Sequence, residues 1–103
     1  MSTTPGKISI CQEQWERIYS AFLVQQNTSD WPKKRKYAMA ILQEFSAHVP
    51  LTAIVDAGSR KALARRLFKT SNDYNYVTYP LCMGVWLGKL SLDGDNLVKV
   101  NHI

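Results

Sequence analysis

The chain has 103 residues, which suffice for one domain with a modest core and exclude a second domain of ordinary size. Its residues are 46% apolar and 20% charged, as in folded proteins, so the composition excludes disorder throughout the chain. The formal net charge of +5, from 13 Lys and Arg against 8 Asp and Glu, favours polyanionic partners such as RNA, DNA or an anionic membrane surface.

No part of the sequence predicts a secretory signal peptide or a membrane span. Residues 1–12 contain one lysine and no apolar run of signal-peptide length, and no stretch approaches about 20 apolar residues. We therefore expect a cytoplasmic protein without a membrane partner. Residues 1–10 are small and polar and predict a flexible tail, and residues 11–103 predict the single domain.

The two cysteines, Cys11 and Cys82, are far apart and lack the spacing of a metal site. A single disulfide between them is one interpretation, but we favour two buried free thiols in a reducing compartment. We expect neither a metal site nor a cofactor.

Apolar periodicity predicts the first helix from about Gln12 to Gln26. The residues of its apolar stripe are Trp15, Ile18, Tyr19, Phe22 and Leu23. Residues 27–30 predict a break. A second helix is expected from Pro32 to His48, because proline is tolerated in a first helical turn. Its predicted buried side holds Ala38, Ile41, Leu42, Phe45 and Val49.

The first turn of the second helix carries four consecutive cations, which are Lys33, Lys34, Arg35 and Lys36. They crowd the positive end of the helix dipole, an arrangement that a bound anion would stabilise. With Pro32 the run is typical of a nuclear-import signal if the source is eukaryotic, of a phosphate-binding arm otherwise, and equally of an exposed helix start.

Pro50 ends the second helix, and residues 51–57 form either a short helix or a strand-like connector. We favour a helix that Gly58 closes. Ser59 is then placed to cap a helix over residues 60–69. One side of that helix is apolar, with Leu63, Ala64, Leu67 and Phe68. The other side presents a row of cations, Lys61, Arg65 and Lys69, with Arg66 beside it.

The end of the chain predicts a β-hairpin, with strands over residues 85–92 and 97–101 around an Asp-Gly turn. On the first strand, Trp86, Leu90 and Leu92 are expected on one face, and Lys89 and Ser91 on the other. A hairpin needs a larger body to pack against. The predicted fold class is therefore α+β, a small helical body of three to four helices with a C-terminal β-hairpin.

The cations of residues 60–69 are the most informative functional feature. These ten residues contain no acid, and the cations of the row are spaced about one helical turn apart, which suits phosphate contacts along a nucleic-acid strand. An ordinary solvated helix face remains the alternative. Tyrosines at positions 74, 76 and 79 follow, where an exposed ring can stack on a base and a buried ring anchors the core.

Catalytic machinery is not visible in the sequence. His48 and His102 have no neighbouring nucleophile or carboxylate pattern, and no glycine-rich phosphate loop or HExxH motif occurs. We therefore expect a binding protein and not an enzyme.

Four features of the C-terminal half lie at characteristic spacings: the basic run of residues 59–67, Tyr76 nine residues later, the segment 89–94 with its Leu-Asp-Gly turn, and Val100. Together they resemble the ProQ/FinO family of bacterial RNA chaperones. Lys89 stands where the family has arginine and Ser91 where it has aspartate. The segment between the tyrosine and the hairpin is about three residues longer than in the family.

This resemblance implies an RNA chaperone in post-transcriptional regulation, which binds the foot of an RNA hairpin and its single-stranded 3′ tail. By position it assigns RNA contacts to Arg60, Lys61, Tyr76 and Lys89. Together with the charge pattern, the predicted nucleic-acid-binding residues are Arg60, Lys61, Arg65, Arg66, Lys69, Tyr76, Lys89, Lys33, Lys34, Arg35 and Lys36.

Two other functions remain open. The first is a phage- or plasmid-type DNA-binding regulator, in which residues 51–69 form a helix-turn-helix with residues 60–69 as the recognition helix. The second is a protein-interaction or inhibitor module that covers a nucleic-acid channel, although such proteins are usually acidic.

Overall fold

The computed structural model describes residues 9–26 and 31–100. In chain order the elements are α1 (Ile10–Val24), α2 (Trp31–Leu42), β1 (His48–Pro50), α3 (Thr52–Val55), α4 (Ala57–Phe68), a π-helix (Tyr74–Thr78), α5 (Tyr79–Trp86), β2 (Leu90–Asp93) and β3 (Asn96–Lys99). The predicted α+β class is confirmed, with five α-helices and three strands in this part of the chain.

Helix α1 begins two residues before its predicted start, because the Ser9 hydroxyl accepts a hydrogen bond from the Gln12 N–H at 3.0 Å and caps the helix. Ser9 and Ile10, predicted to belong to the tail, form the start of α1. The rest of the predicted tail, residues 1–8, lies outside the described residues, as do the predicted break at 27–30 and residues 101–103. Trp15 and Phe22 of the predicted stripe are buried, whereas Leu23 is exposed.

The strands form an antiparallel sheet of order β1-β3-β2, in which the predicted hairpin is joined by an unpredicted strand, β1. The prediction of Val49 in the second helix was wrong, because α2 ends at Leu42 and Val49 pairs with Leu97. Proline disfavours helical backbone at the residue before it, and Pro50 needs no N–H partner on the outer edge of a sheet. The structure therefore shortens the predicted helix and adds a strand.

Helix α5 corrects the predicted first strand of the hairpin, which begins only at Leu90. A short run of apolar residues that is buried on all sides has no periodicity that separates a helix from a strand. Trp86 consequently ends α5, with its ring edge-on to Phe22 at a centroid distance of 5.9 Å. Leu90 is buried and Leu92 is exposed, so the predicted face divides between core and solvent.

Helices α3 and α4 are separated by a single residue, Asp56, which caps α4 in place of the predicted Ser59. Its carboxylate accepts hydrogen bonds from the Ser59 N–H at 2.8 Å and from the Ser59 hydroxyl at 2.9 Å. These two bonds, followed by the charge of Arg60, lower the pKa of Asp56. Gly58, predicted to close the preceding helix, lies within α4.

The core takes buried side chains from every described helix and strand. Its largest fully buried side chains include Phe22, Leu51, Ile54, Leu81, Met83 and Leu97. Gly84 allows α5 to approach α2 and β2 closely, because a Cβ atom on it would lie 2.9 Å from atoms of both Leu42 and Leu90.

Replacing Gly84 with alanine should therefore destabilise the protein. The added methyl group overpacks the contact with Leu42 and Leu90, and we expect a loss of about 1–2 kcal/mol in the free energy of unfolding, measured by urea denaturation. The matched control is Gly58→Ala, where the new Cβ meets only ordinary contact and the helix gains roughly 0.5–1 kcal/mol. Equal effects of the two substitutions would contradict this packing.

The two cysteines are free thiols, as predicted, but they differ in burial. Cys82 is fully buried in α5, and burial raises the pKa of its thiol to about 12. Cys11 is half-buried in α1, so the expectation of two buried thiols holds for Cys82 alone.

Alkaline pH should weaken the fold through Cys82. Because the pKa of its thiol in the folded state, about 12, lies above the ordinary value of 9.0, the free energy of unfolding should fall as pH rises between these values. The melting temperature of the wild type should therefore decline more steeply over this range than that of Cys82→Ala. Parallel declines would show that the buried thiol is not the cause, since the tyrosines titrate in both proteins.

Candidate nucleic-acid interface

The exposed side of α4 carries three of the predicted cations, whereas the helix ends at Phe68, one residue earlier than predicted, and leaves Lys69 as its C-cap in left-handed backbone with φ 56°. Lys61, Arg65, Arg66 and Lys69 are exposed, and none of them forms an ion pair with a described residue. The opposite side of the helix buries Leu63 and Ala64 in the core. Burial of that side fixes the rotation of α4 about its axis and directs the cations outward.

Arg60 is the exception, because it lies at the edge of the buried side and not on the exposed face where it was predicted. Its Nε is ion-paired with the Asp73 carboxylate, and its Nη1 donates a hydrogen bond to the Ile54 carbonyl at 2.6 Å. The side chains of Arg60 and Asp73 are only 21% and 15% exposed. At about 100° per residue, Arg60 lies within about 40° of the buried Ala64, which explains why its side chain is not on the exposed face. Arg60 thus joins α4 to α3 and to the segment that enters the π-helix.

The four cations of the second basic run lie in the first turns of α2, and all four are exposed. Consecutive residues of a helix point in directions about 100° apart, so Lys33, Lys34, Arg35 and Lys36 surround the helix and do not form a single row. Lys33 and Lys34 precede Tyr37 by four and three residues. They therefore share a side of α2 with this tyrosine.

Tyr76 connects the two cationic helices. Its half-buried ring lies against Phe68 of α4 at a centroid distance of 5.3 Å and against Tyr37 of α2 at 6.2 Å. The Tyr37 hydroxyl donates a hydrogen bond to the Tyr76 hydroxyl at 2.9 Å. This bond, followed by burial and by the charge of Tyr76, raises the pKa of Tyr37. Tyr76 was predicted as a nucleic-acid-binding residue from the sequence, whereas Tyr37 was not.

The other two tyrosines of this region, Tyr74 and Tyr79, are anchored to the end of α1. The Tyr74 hydroxyl donates to the Gln25 side-chain oxygen at 2.6 Å, and the Tyr79 hydroxyl donates to that of Gln26 at 3.4 Å. Burial is the main cause that raises the pKa of both groups. The three tyrosines thus differ in their partners, and each one fixes the π-helix region to another helix.

Lys89 lies apart from the cations of α2. It is exposed in the turn after α5, where its N–H donates to the Gly84 carbonyl at 2.8 Å. Gly84 packs against Leu42, the last residue of α2, whereas Lys33 lies about 14 Å away along that helix. The structure therefore does not bring Lys89 together with the lysines of the first turns.

Acidic residues gather at the opposite end of α1 from the tyrosines. The turn between β2 and β3 holds Asp93 and Asp95, and it is tied to the start of α1 by a 2.6 Å hydrogen bond from the Ser9 hydroxyl to Asp95. Glu13 lies in the first turn of the same helix. A helix of 15 residues is about 22 Å long, so these acids are distant from the tyrosines at its end.

Other kinds of site receive no support from the described part of the chain. It contains no group of three metal-ligating side chains that could hold an ion. None of its helices has the length and apolar character needed to cross a membrane. His48 is exposed in β1, and His102 lies outside the described residues.

A scan against protein-family models, a search of curated proteins and a search of solved structures gave no match. The resemblance to the ProQ/FinO family therefore stays a prediction that depends on the motifs and spacings in the sequence. Function must be argued from the geometry of the cationic and aromatic residues.

Removing Arg60 should destabilise the fold, unlike the removal of its exposed neighbour. We expect Arg60→Ala and Asp73→Ala each to cost about 1–3 kcal/mol of unfolding free energy, because each leaves a half-buried charge without its partner. Lys61→Ala should change it by less than about 0.5 kcal/mol. Additive effects in the Arg60/Asp73 double-mutant cycle would contradict the assignment, since a direct ion pair requires coupling.

Proposed function

We propose that this protein binds structured RNA through the exposed cations of α4 and of the first turns of α2, without enzymatic activity. The observation that carries the proposal is the row of Lys61 and Arg65 on successive turns of α4, followed by Lys69 at its C-cap, all exposed and without an ion pair to a described acid. Residues four apart lie about 6 Å apart along a helix axis. Such a row can contact successive phosphates of one strand.

The distribution of acidic residues supports binding at the surface of α2 and α4. Two of the acids are engaged within the fold, Asp56 as the cap of α4 and Asp73 as the partner of Arg60. The acids at the hairpin turn and the start of α1 lie far from the tyrosine end of α1, where Lys34 and Gln25 line a common pocket. A polyanion is therefore attracted to the surface of α2 and α4 and repelled from the hairpin turn.

Aromatic residues between the cationic helices favour RNA with an unpaired segment. Tyr37 is 51% exposed, and its hydroxyl contacts that of Tyr76. Tyrosine rings of this kind stack on bases that are not already stacked in a duplex, as in hairpin tails and loops. The resemblance to the ProQ/FinO family adds to the proposal a hairpin with a 3′ tail as ligand and a chaperone-like role in post-transcriptional regulation, and we expect this role in the cytoplasm.

Duplex DNA has less support as a ligand. A helix-turn-helix joins two helices by a turn of about three or four residues. Here α3 has four residues and Asp56 alone separates it from α4. No observation favours the inhibitor module, since the net charge of +5 is opposite to that of a nucleic-acid mimic.

Charge reversal on α4 should abolish RNA binding. Lys61→Glu combined with Arg65→Glu replaces two phosphate contacts with repulsion, and we expect no shift of an RNA hairpin with a 3′ tail in a gel assay at physiological salt. The single variant Arg65→Glu should bind weakly and should show a salt dependence of log affinity that is less steep by about one contact. Circular dichroism should be unchanged, because both side chains are exposed.

The matched control is Arg17→Glu, the same change of charge on the exposed side of α1 beside Glu13 and Glu16. It should retain nearly the affinity of the wild type. Equal losses for Arg17→Glu and Arg65→Glu would show that net charge alone governs binding. Unchanged binding by the double variant would refute the α4 surface.

A further inference from the structure

A pocket of about 540 Å³ lies where the end of α1, the first half of α2 and the π-helix meet. The residues that give it chemical character are Gln25, Lys34, Tyr37, Tyr74, Asn75 and Tyr79. Its size is within the range of about 300–1,000 Å³ that is usual for sites of small ligands. None of the described lining residues is acidic.

Hydrogen bonds between protein groups hold the walls of the pocket in place. Three tyrosine hydroxyls have protein partners, which are Tyr76 for Tyr37, Gln25 for Tyr74 and Gln26 for Tyr79. A ring whose hydroxyl is bonded in this way has a fixed orientation. The aromatic faces are thus arranged before a ligand binds, which lowers the entropic cost of binding.

Two of these rings offer accessible faces. Tyr37 is 51% exposed and Tyr74 is 40% exposed. The rings of Tyr74 and Tyr79 are 6.2 Å apart and tilted by 51°, so a flat ligand stacks on the outer face of one ring and does not enter between them. One planar aromatic group therefore fits against the tyrosine wall.

The polar groups of the pocket match the rest of a nucleotide. Lys34 is an exposed cation at the rim and can pair with a phosphate. The side-chain amides of Gln25 and Asn75 offer both donors and acceptors, which are the groups that read the edge of a base. An aromatic wall, one cation and two amides together select a flat heterocycle that carries an anion.

We propose that this pocket binds one unstacked nucleotide, with its base on the tyrosine wall and its phosphate at Lys34. The inference rests on the proposed RNA binding and deepens it, because it assigns a site to a nucleotide from a single-stranded segment. A free nucleotide has the same chemistry, and the experiment separates the two sources.

The test compares an RNA hairpin that has a single-stranded tail with the same hairpin made blunt. Tyr74→Ala should weaken binding of the tailed RNA about tenfold, as loss of one stacking surface does, and should leave the blunt RNA unaffected. Tyr74→Phe keeps the ring and should retain most of the affinity. Lys34→Ala should weaken the tailed RNA more than the blunt one, whereas Lys36→Ala, outside the pocket, should affect both equally.

A second arm uses adenosine 5′-monophosphate and uridine 5′-monophosphate as probes in nuclear magnetic resonance titrations of the wild type. The amide signals of Gln25, Tyr74 and Asn75 should shift, and those of the turn at Gly94 should not. Shifts with the mononucleotides but no binding of either RNA would refute the proposed function and identify a site for a free nucleotide.

RNA binding that Tyr74→Ala leaves unchanged, together with unshifted pocket signals, would overturn the inference and leave the proposed function intact. Absence of RNA binding and of mononucleotide shifts would overturn both. Circular dichroism of each variant confirms that it is folded before its affinity is interpreted.

Discussion

The Arg60 guanidinium contacts two segments outside its own helix: the Ile54 carbonyl of α3 and the Asp73 carboxylate before the π-helix. These contacts, with the buried side chains of α4, fix how α4 is turned about its axis. The same ion pair ties α4 to Asp73, which directly precedes the π-helix whose Tyr74 and Tyr76 contact the end of α1 and α2. A half-buried ion pair of this kind contributes little net stability but is costly to break. Its main effect is to position the cationic and aromatic surfaces beside each other.

None of the described acids forms an ion pair with the exposed cations of α4. Asp73 is paired with Arg60, and Asp56 accepts hydrogen bonds at the start of the same helix. Asp95 is held at the start of α1, together with the rest of the hairpin turn. The net charge of +5 is therefore unevenly distributed, and the electrostatic potential attracts a polyanion to the cationic helices. The proposed ligand, a polyanion with unpaired bases, needs both that potential and the tyrosines between the two helices.

Local periodicity predicted what depends on neighbours in sequence. The buried side of α1 and the outward cations of α4 follow from residues three and four apart. Features that depend on distant partners were missed. Arg60 finds Asp73 thirteen residues away, Tyr37 finds Tyr76 thirty-nine residues away, and Val49 pairs with a strand near the other end of the chain. Helix α5 was misassigned because a segment buried on all sides has no polar face to reveal its period.

Ultraviolet crosslinking of the protein to a tailed RNA hairpin, followed by mass spectrometry of the attached peptides, tests the central claim most directly, because it maps the contact surface without altering any residue. The account predicts crosslinked nucleotides on peptides from the first turns of α2, from α4 and from the π-helix. Crosslinks concentrated on the hairpin turn at residues 93–95 and on the first turns of α1 would contradict it.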